Sequence, residues 1–189
     1  MASVPLRAPV PLDALLAVAN TRHGPEAWRP LPPGPRARTA GGHDRLRDAR
    51  ETARFLDALG VAVPSGTPAP DDRARLKVVR DAVRALAEGD DGGHRRRAHR
   101  LLGPITFRIE PGGLRATSAG WTGFIDGLSV ALLELVPLAD RLKVCENTAC
   151  GWVFIDRTRN ASQVWCHEQL CADRLRVRRH RRASRTKRR

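Results

Sequence analysis

The sequence predicts an α+β protein with a mainly helical N-terminal domain, which contains one small β-hairpin, and a metal-bound finger that leads into a basic helix. Apolar residues recur at helical spacing through much of the first 140 residues, with one alternating segment among them. All four cysteines lie in two matched pairs between positions 145 and 171, and a run of arginines follows them. We therefore expect a helical domain at 1–140, a finger with its basic helix at 141–182 and a disordered basic tail at 183–189.

Five segments of the first domain have the pattern of helices. The first begins near Pro11, which suits an opening helical turn. The second has Asp44 as its cap and Gly60 as its stop, and the last ends or kinks at Pro137, which cannot donate a backbone hydrogen bond. Their apolar stripes are best explained as core. The segments are 11–20, 44–60, 72–88, 94–102 and 121–139.

Between the fourth and fifth helices the hydrophobic period changes. Ile105, Phe107 and Ile109 alternate with polar residues, and a Pro-Gly-Gly turn follows, which predicts a β-hairpin. The segment at 23–43 is rich in proline and glycine, and its length favours a disordered loop over a functional lid. Four histidines stand among arginines and glycines and are predicted to be surface residues: His23, His43, His94 and His99.

The charge of the chain points to a polyanionic partner. The formal net charge is +14, and residues 141–189 hold 14 basic against 4 acidic residues. Such a concentration of positive charge is typical of nucleic-acid binding, although a solvated tail has the same composition. We expect a cytoplasmic protein without a membrane span, because the start is a poor signal peptide and no run of 18 apolar residues occurs. No nucleophile–base pair or phosphate loop stands out, so we do not expect an enzyme.

The cysteines have the spacing Cys145-x4-Cys150-x15-Cys166-x4-Cys171. Two close pairs, separated by enough chain for a hairpin, can supply the four corners of a tetrahedral zinc site. Paired disulfides would need an oxidising compartment, and an iron–sulfur cluster would use the same four thiolates. We favour one structural Zn²⁺, which four protein thiolates leave without an open position for catalysis.

The residues around the cysteines predict how the finger folds. Gly151 follows the second cysteine, where a turn needs positive φ. Residues 152–156 and 162–166 are predicted to be paired strands, and a helix is predicted from Cys166 onward. The two pairs, the hairpin and the helix together suggest a treble-clef-like finger. Its three aromatic residues are expected to form a small core beside the metal rather than to stack on bases: Trp152, Phe154 and Trp165.

At these residues the sequence resembles the CGNR zinc finger family of bacterial proteins. The four cysteines occupy the ligand positions of that family, and Phe154, Asp156, Arg159, Asn160 and Trp165 also fit its pattern. The signature after the last ligand differs, because Ala172 and Asp173 stand where the family has Gly and Asn. An Asp carboxylate cannot donate a hydrogen bond as an Asn amide does.

Upstream, "LDALLAVANTR" and the helical segments resemble the ABATE-type domain that is often joined to this finger in stress-induced transcription regulators. The resemblance implies a DNA-binding regulator with a sensory domain. We expect Arg174, Arg178 and Arg181 to share a helix face that could enter the major groove. The residues predicted to contact DNA are Arg157, Arg159, Arg174, Arg176, Arg178, Arg179, Arg181 and Arg182.

Two further interpretations remain open from the sequence. The finger could instead be a zinc-stapled interaction module that binds RNA or an acidic protein partner, since a fold does not fix a function. A small-molecule effector could bind the first domain at Asn20, Arg22 and Trp121. The simpler alternative for Asn20 is that it ends the first helix.

Overall fold

The computed structural model describes residues 11–24, 43–89, 104–111, 113–173, 176–177 and 180. The predicted helix at 94–102, most of the predicted loop at 23–43, and the predicted tail at 183–189 lie outside these residues. His94 and His99 lie outside them as well, so their predicted surface position is not tested.

Four α-helices form the first part of the described chain. They are α1 (Leu12–Ala19), α2 (Ala49–Ala58), α3 (Pro70–Ala87) and α4 (Gly120–Leu135). Pro11 is the N-cap of α1, and Pro70 opens α3, where a missing backbone donor costs nothing. After α4 a 3₁₀ turn over Val136–Arg141 contains Pro137, so the predicted end of this helix is confirmed.

The second predicted helix starts later than the sequence indicated. Asp44 caps only a short 3₁₀ turn (Arg45–Arg47), through a bond from the Leu46 backbone amide. The chain then becomes extended at Asp48, whose carboxylate accepts from the Glu51 amide at 2.8 Å and caps α2. Asp44 and Asp48 are both suitable N-cap residues, and the α-helix begins after Asp48.

Three small antiparallel sheets complete the described structure, each with two strands. β1 (Arg22–His23) pairs with β2 (His43–Asp44), and β3 (Phe107–Glu110) pairs with β4 (Gly113–Ala116), which confirms the predicted hairpin. In the finger, β5 (Leu142–Val144) pairs with β6 (Val153–Ile155), so that Val144 lies opposite Val153.

One hydrophobic core joins the helices to the finger. α1 packs against α3, α4 and α2, and it also contacts β6. The fully buried side chains include Leu15 of α1, Leu76 of α3 and Leu128 of α4, and the same apolar cluster includes Trp152 and Val153 of the finger. The finger therefore rests directly on the helical layer.

The segment Gly120–Arg141, which contains α4, is long and apolar enough by length and composition to cross a membrane. Its inward face is buried in the core at Trp121, Ile125 and Leu128. A helix with one face in a protein core has the same composition, so its hydropathy is explained by packing.

Candidate metal centre

The first cysteine pair lies in a tight turn between β5 and β6. Cys145 follows β5, and its backbone amide donates to the Trp152 carbonyl at 2.8 Å, which continues the ladder of the two strands. The turn closes on Asn147, whose backbone carbonyl accepts from Cys150 at 2.7 Å and from Gly151 at 3.1 Å. Gly151 has φ +60°, the left-handed conformation that the sequence predicted for it. Both cysteines are buried.

The second pair is supplied by the segment that follows β6. The Glu146 amide donates to the Val164 carbonyl at 3.0 Å, which holds this segment beside the first pair. Cys166 then precedes a π-helical turn over Glu168–Ala172 that carries Cys171, and the Cys171 amide donates to the His167 carbonyl. The helix predicted from Cys166 thus begins two residues later, and the second ligand lies within its first turn.

The four sulfur atoms have the spacing of a tetrahedral zinc site. All four Sγ atoms lie within 4.8 Å of one another. Cys166 Sγ is 3.6 Å from Cys150 Sγ and 3.7 Å from Cys171 Sγ. Zinc–thiolate bonds of about 2.3 Å give tetrahedral edges of about 3.8 Å, so the site fits one structural Zn²⁺. The same sulfurs are too far apart to be paired as disulfides, and all four cysteines are free.

The four thiols also perturb one another, because their sulfur atoms lie so close together. Hydrogen bonds from the thiols of Cys150 and Cys166 lower the pKa of Cys145 to about 2. The hydrogen bond to Cys145 raises the pKa of Cys150 to about 12. One sulfur therefore takes the negative charge while a neighbour keeps its proton. A divalent cation at the centre replaces those protons and allows all four sulfurs to bind as thiolates.

The turn after β6 is organised by a buried ion pair. Asp156 has a fully buried carboxylate that accepts from Lys143 Nζ at 2.7 Å, from the Thr158 amide and hydroxyl, and from the Gln163 amide. Although burial acts to raise it, the pKa of Asp156 is held well below its ordinary range, chiefly by the bonds from Lys143 and Thr158. Lys143 also donates to the carbonyls of Ala161 and Gln163.

The predicted strand at 162–166 is wrong. β6 pairs with β5, and residues 162–166 form no strand. One reason is that Lys143 and Asp156 form hydrogen bonds with residues of the turn at 158–163, which keep it from extending into a strand. The other is that the free edge of β6 is occupied by a side chain at the end of α1. Asn20 Nδ2 donates to the Val153 carbonyl at 2.9 Å, and its Oδ1 accepts from the Val153 amide at 2.7 Å.

Two more contacts join the helical layer to the first cysteine pair. The Gly24 amide donates to the Cys150 carbonyl at 2.7 Å, and the approach is so close that a Cβ at position 24 would lie 2.1 Å from the Ala149 carbonyl oxygen. Arg84 of α3 donates to the carbonyls of Gly151 at 3.1 Å and Arg22 at 3.2 Å. Burial lowers the pKa of Arg84. These contacts fix the metal-binding turn from outside the finger.

His23 is a core residue, so its predicted surface position is wrong. It is 4% exposed, and its ring lies 6.1 Å from that of Trp152 and 5.9 Å from that of Phe55. Nδ1 bonds the Gly24 carbonyl and so carries the proton, while Nε2 accepts from Arg45. Burial lowers the pKa of His23 to about 4, against the opposing effect of the Gly24 carbonyl. His43 is only half-buried, and burial lowers its pKa.

The aromatic residues of the finger form part of this shared core. Trp152 and Phe154 are each 8% exposed, and Trp165 packs against the same cluster half-buried. The ring of Trp152 lies 6.4 Å from that of Phe55 on α2. The prediction that they pack in a core is therefore supported, but that core extends into the helical layer. The sequence alone did not identify Asn20, Gly24 or Arg84 as partners of the finger.

The basic residues predicted to contact DNA are only partly described. Arg157 and Arg159 are exposed, and neither side chain makes an ion pair within the described part of the chain. Arg176 is exposed and pairs with Asp173 at 3.0 Å, whereas Ala172 is buried. The remaining predicted contacts lie outside the described residues: Arg174, Arg178, Arg179, Arg181 and Arg182.

The predicted effector residues lie in different surroundings. Asn20 is buried as the C-cap of α1, and it lines a cavity between α1 and the finger. Arg22 is exposed, and Trp121 is buried against Phe124; neither is among the described residues that line this cavity.

Comparison with known proteins agrees with this geometry. Residues 141–184 match the sequence model of the CGNR zinc finger. The match covers the four cysteines and the start of the basic segment, and it does not extend upstream. A search of curated proteins found no match. The ABATE-type assignment of residues 1–140 therefore stays a prediction.

Proposed function

Because residues 141–184 form a CGNR zinc finger, we propose that this protein binds DNA and acts as a transcription regulator. The observation that carries the proposal is the positive charge around the metal centre, where Arg157, Arg159 and Arg176 are exposed. Residues 141–189 have a net charge of +10, and the arginines begin three positions after the last ligand. Duplex DNA is the polyanion that such a basic helix commonly fits.

The zinc site would give this surface its fixed position. Cys171 and Ala172 are buried, while Arg176, Val177 and His180 along the following helical residues are exposed. Arg157 and Arg159 project from the turn that the Lys143–Asp156 pair organises. Exposed arginines before and after the second cysteine pair thus belong to the same small metal-bound unit. Phosphate contacts would orient the finger, and arginines in the groove would read bases.

The proposal predicts a strong dependence on salt. If about five to eight phosphates are neutralised, the logarithm of the association constant should fall against that of salt concentration with a slope of about −4 to −7. Fluorescence anisotropy with a labelled duplex and the zinc-loaded full chain would measure this slope. Affinity that stays constant between low and physiological salt would contradict the proposal.

Paired variants test the role of the turn. We expect the double variant Arg157→Gln and Arg159→Gln to make the slope shallower by about 2, because each lost phosphate contact removes about 0.9. Arg108→Gln is the matched control, since Arg108 is exposed on the separate β3–β4 hairpin. Equal slopes for the double variant and the control would remove Arg157 and Arg159 from the interface.

Competition separates DNA from other acidic partners. Structured RNA, heparin and an unlabelled duplex should be compared at equal phosphate or sulfate concentration, and the duplex should displace the probe most effectively. A stronger effect of RNA would favour the zinc-stapled RNA-binding module over a DNA-binding regulator. Selection from random duplexes would then establish whether a preferred site exists.

A further inference from the structure

A cavity of about 500 Å³ lies between α1 and the finger. It borders both sites already described, because its wall includes Cys166 of the zinc site and Arg157 of the basic surface. Its volume is in the range of cavities that bind small organic molecules. The residues that give it chemical character are Asp13, Leu16, Leu59, Trp152, Phe154 and Arg157.

The floor and the rim of this cavity differ in polarity. Leu16 and Leu59 from the helical layer meet Trp152 and Phe154 from the finger, and all four are buried or half-buried. Asp13 and Arg157, in contrast, are exposed, one from the first turn of α1 and one just after β6. Neither of these two makes an ion pair among the residues that the structure describes. Opposite charges therefore line one cavity, and no described residue forms an ion pair with either of them.

We propose that this cavity binds a zwitterionic organic molecule with an apolar body, such as an apolar amino acid or a short apolar peptide. Its carboxylate would pair with the Arg157 guanidinium, its ammonium group would pair with the Asp13 carboxylate, and its apolar part would cover the Trp152 and Phe154 floor. Arginine binds carboxylates through two parallel hydrogen bonds, which also fixes orientation.

The charge pattern distinguishes this ligand from simpler ones. A ligand with only a carboxylate could pair with Arg157 but would be repelled by the negative charge of Asp13. A ligand with only an ammonium group could pair with Asp13 but would be repelled by the positive charge of Arg157. A neutral apolar compound would leave both charges partly desolvated without a partner. A molecule with both charges and an apolar part can pair with Arg157 and Asp13 and also cover the apolar floor.

Occupancy should also affect the metal. The ligand would contact α1 on one side and the wall that contains Cys166 on the other, so it would hold the second cysteine pair against the helical layer. A ligand that binds only the folded, metal-bound form stabilises that form by mass action. We therefore expect slower zinc loss to a chelator in its presence. The inference does not depend on DNA binding, and its test contains no nucleic acid.

Calorimetric titration of the zinc-loaded full chain tests the chemistry with three matched probes. L-Phenylalanine carries both charges, 3-phenylpropanoate lacks the ammonium group, and 2-phenylethylamine lacks the carboxylate. We expect L-phenylalanine, or the dipeptide leucyl-phenylalanine, to bind at least about tenfold more tightly than either single-charge analogue. Equal affinity for the zwitterion and one analogue would overturn the proposal, as would no binding of any probe up to about 10 mM.

Variants then assign each charge. Asp13→Asn should remove the preference for phenylalanine over 3-phenylpropanoate, and Arg157→Gln should remove its preference over 2-phenylethylamine. Asp71→Asn is the control, because Asp71 is an exposed acid in the first turn of α3, as Asp13 is in the first turn of α1. If Asp71→Asn changes the preference as much as Asp13→Asn does, or if phenylalanine leaves the rate of zinc loss unchanged, the assignment to this cavity is wrong.

Discussion

Replacing Asn20 by alanine should destabilise the protein far more than an ordinary exposed substitution. The Asn20 amide makes both of its described bonds with the backbone of Val153, at 2.9 Å and 2.7 Å, across 133 positions of sequence. Both residues are 1% exposed. The substitution therefore leaves an N–H and a C=O of β6 buried and unpaired.

The size of the effect follows from those two groups. A buried backbone donor or acceptor without a partner costs about 1–3 kcal/mol, so the loss should be about 2–5 kcal/mol after some relaxation. A domain of ordinary stability has about 5–15 kcal/mol in total. Asn20→Asp should also be destabilising, because a carboxylate still accepts from the Val153 amide but cannot donate to the Val153 carbonyl.

Chemical denaturation of the zinc-loaded chain, followed by tryptophan fluorescence, measures this difference. Asn160→Ala is the matched control, because Asn160 is exposed in the turn of the finger and its replacement should change stability by less than about 0.5 kcal/mol. If Asn20→Ala lies within 0.5 kcal/mol of Asn160→Ala, the Val153 backbone does not depend on this side chain, and the reasoning fails.

Three further predictions concern the same region. Gly24→Ala should lower the free energy of unfolding by about 2–4 kcal/mol and weaken zinc retention, because the new Cβ would lie 2.1 Å from the Ala149 carbonyl oxygen. Gly60→Ala is the control, since Gly60 has φ +74° and nothing within 4 Å of the new Cβ, and it should lower the free energy of unfolding by about 1 kcal/mol. Equal losses of stability in the two variants would refute the steric argument. The pKa of His23 is lowered to about 4, so the unfolded chain binds its proton first and stability should fall by up to about 3 kcal/mol as the pH drops from 6.5 to 4. Denaturation at each pH should show a flatter profile for His23→Gln, and parallel profiles would exclude His23. Asp173→Asn should raise the affinity for DNA severalfold at low salt, because it removes a negative charge and releases Arg176 from an ion pair of 3.0 Å. Unchanged affinity in anisotropy titrations would show that this ion pair lies away from the DNA.

Local pattern was sufficient for much of the fold and for the metal ligands. The apolar stripe through Leu76, Val79, Val83 and Leu86 lies wholly on the buried side of α3. Residues at this spacing lie on one face of a helix, and an apolar face packs into the core. The four cysteines converge as their spacing indicated, because two close pairs of thiols joined by a short segment can supply the four corners of one tetrahedral site.

The errors arose where distant parts of the chain meet. Residues 162–166 were predicted to pair with β6 as a strand, but the edge of β6 that they were expected to occupy is filled by Asn20. His23 stands next to glycine in the sequence and yet is buried beneath Trp152. Neither outcome can be read from local pattern, because each depends on how the helical layer contacts the finger. Polar side chains that bond backbone at long range leave no periodic signal.

Zinc binding and the stability of the helical layer should be linked through these same contacts. The Cys150 carbonyl is held by Gly24, the Gly151 carbonyl by Arg84, and the Val153 backbone by Asn20. A metal that binds only the folded arrangement of sulfurs adds its binding free energy to that arrangement. Since the partners of the metal-binding turn lie at the end of α1, directly after β1 and on α3, part of that free energy stabilises these elements as well. Removal of zinc should therefore loosen the end of α1 together with the finger, because the turn that Asn20 and Gly24 bind would no longer have a fixed shape.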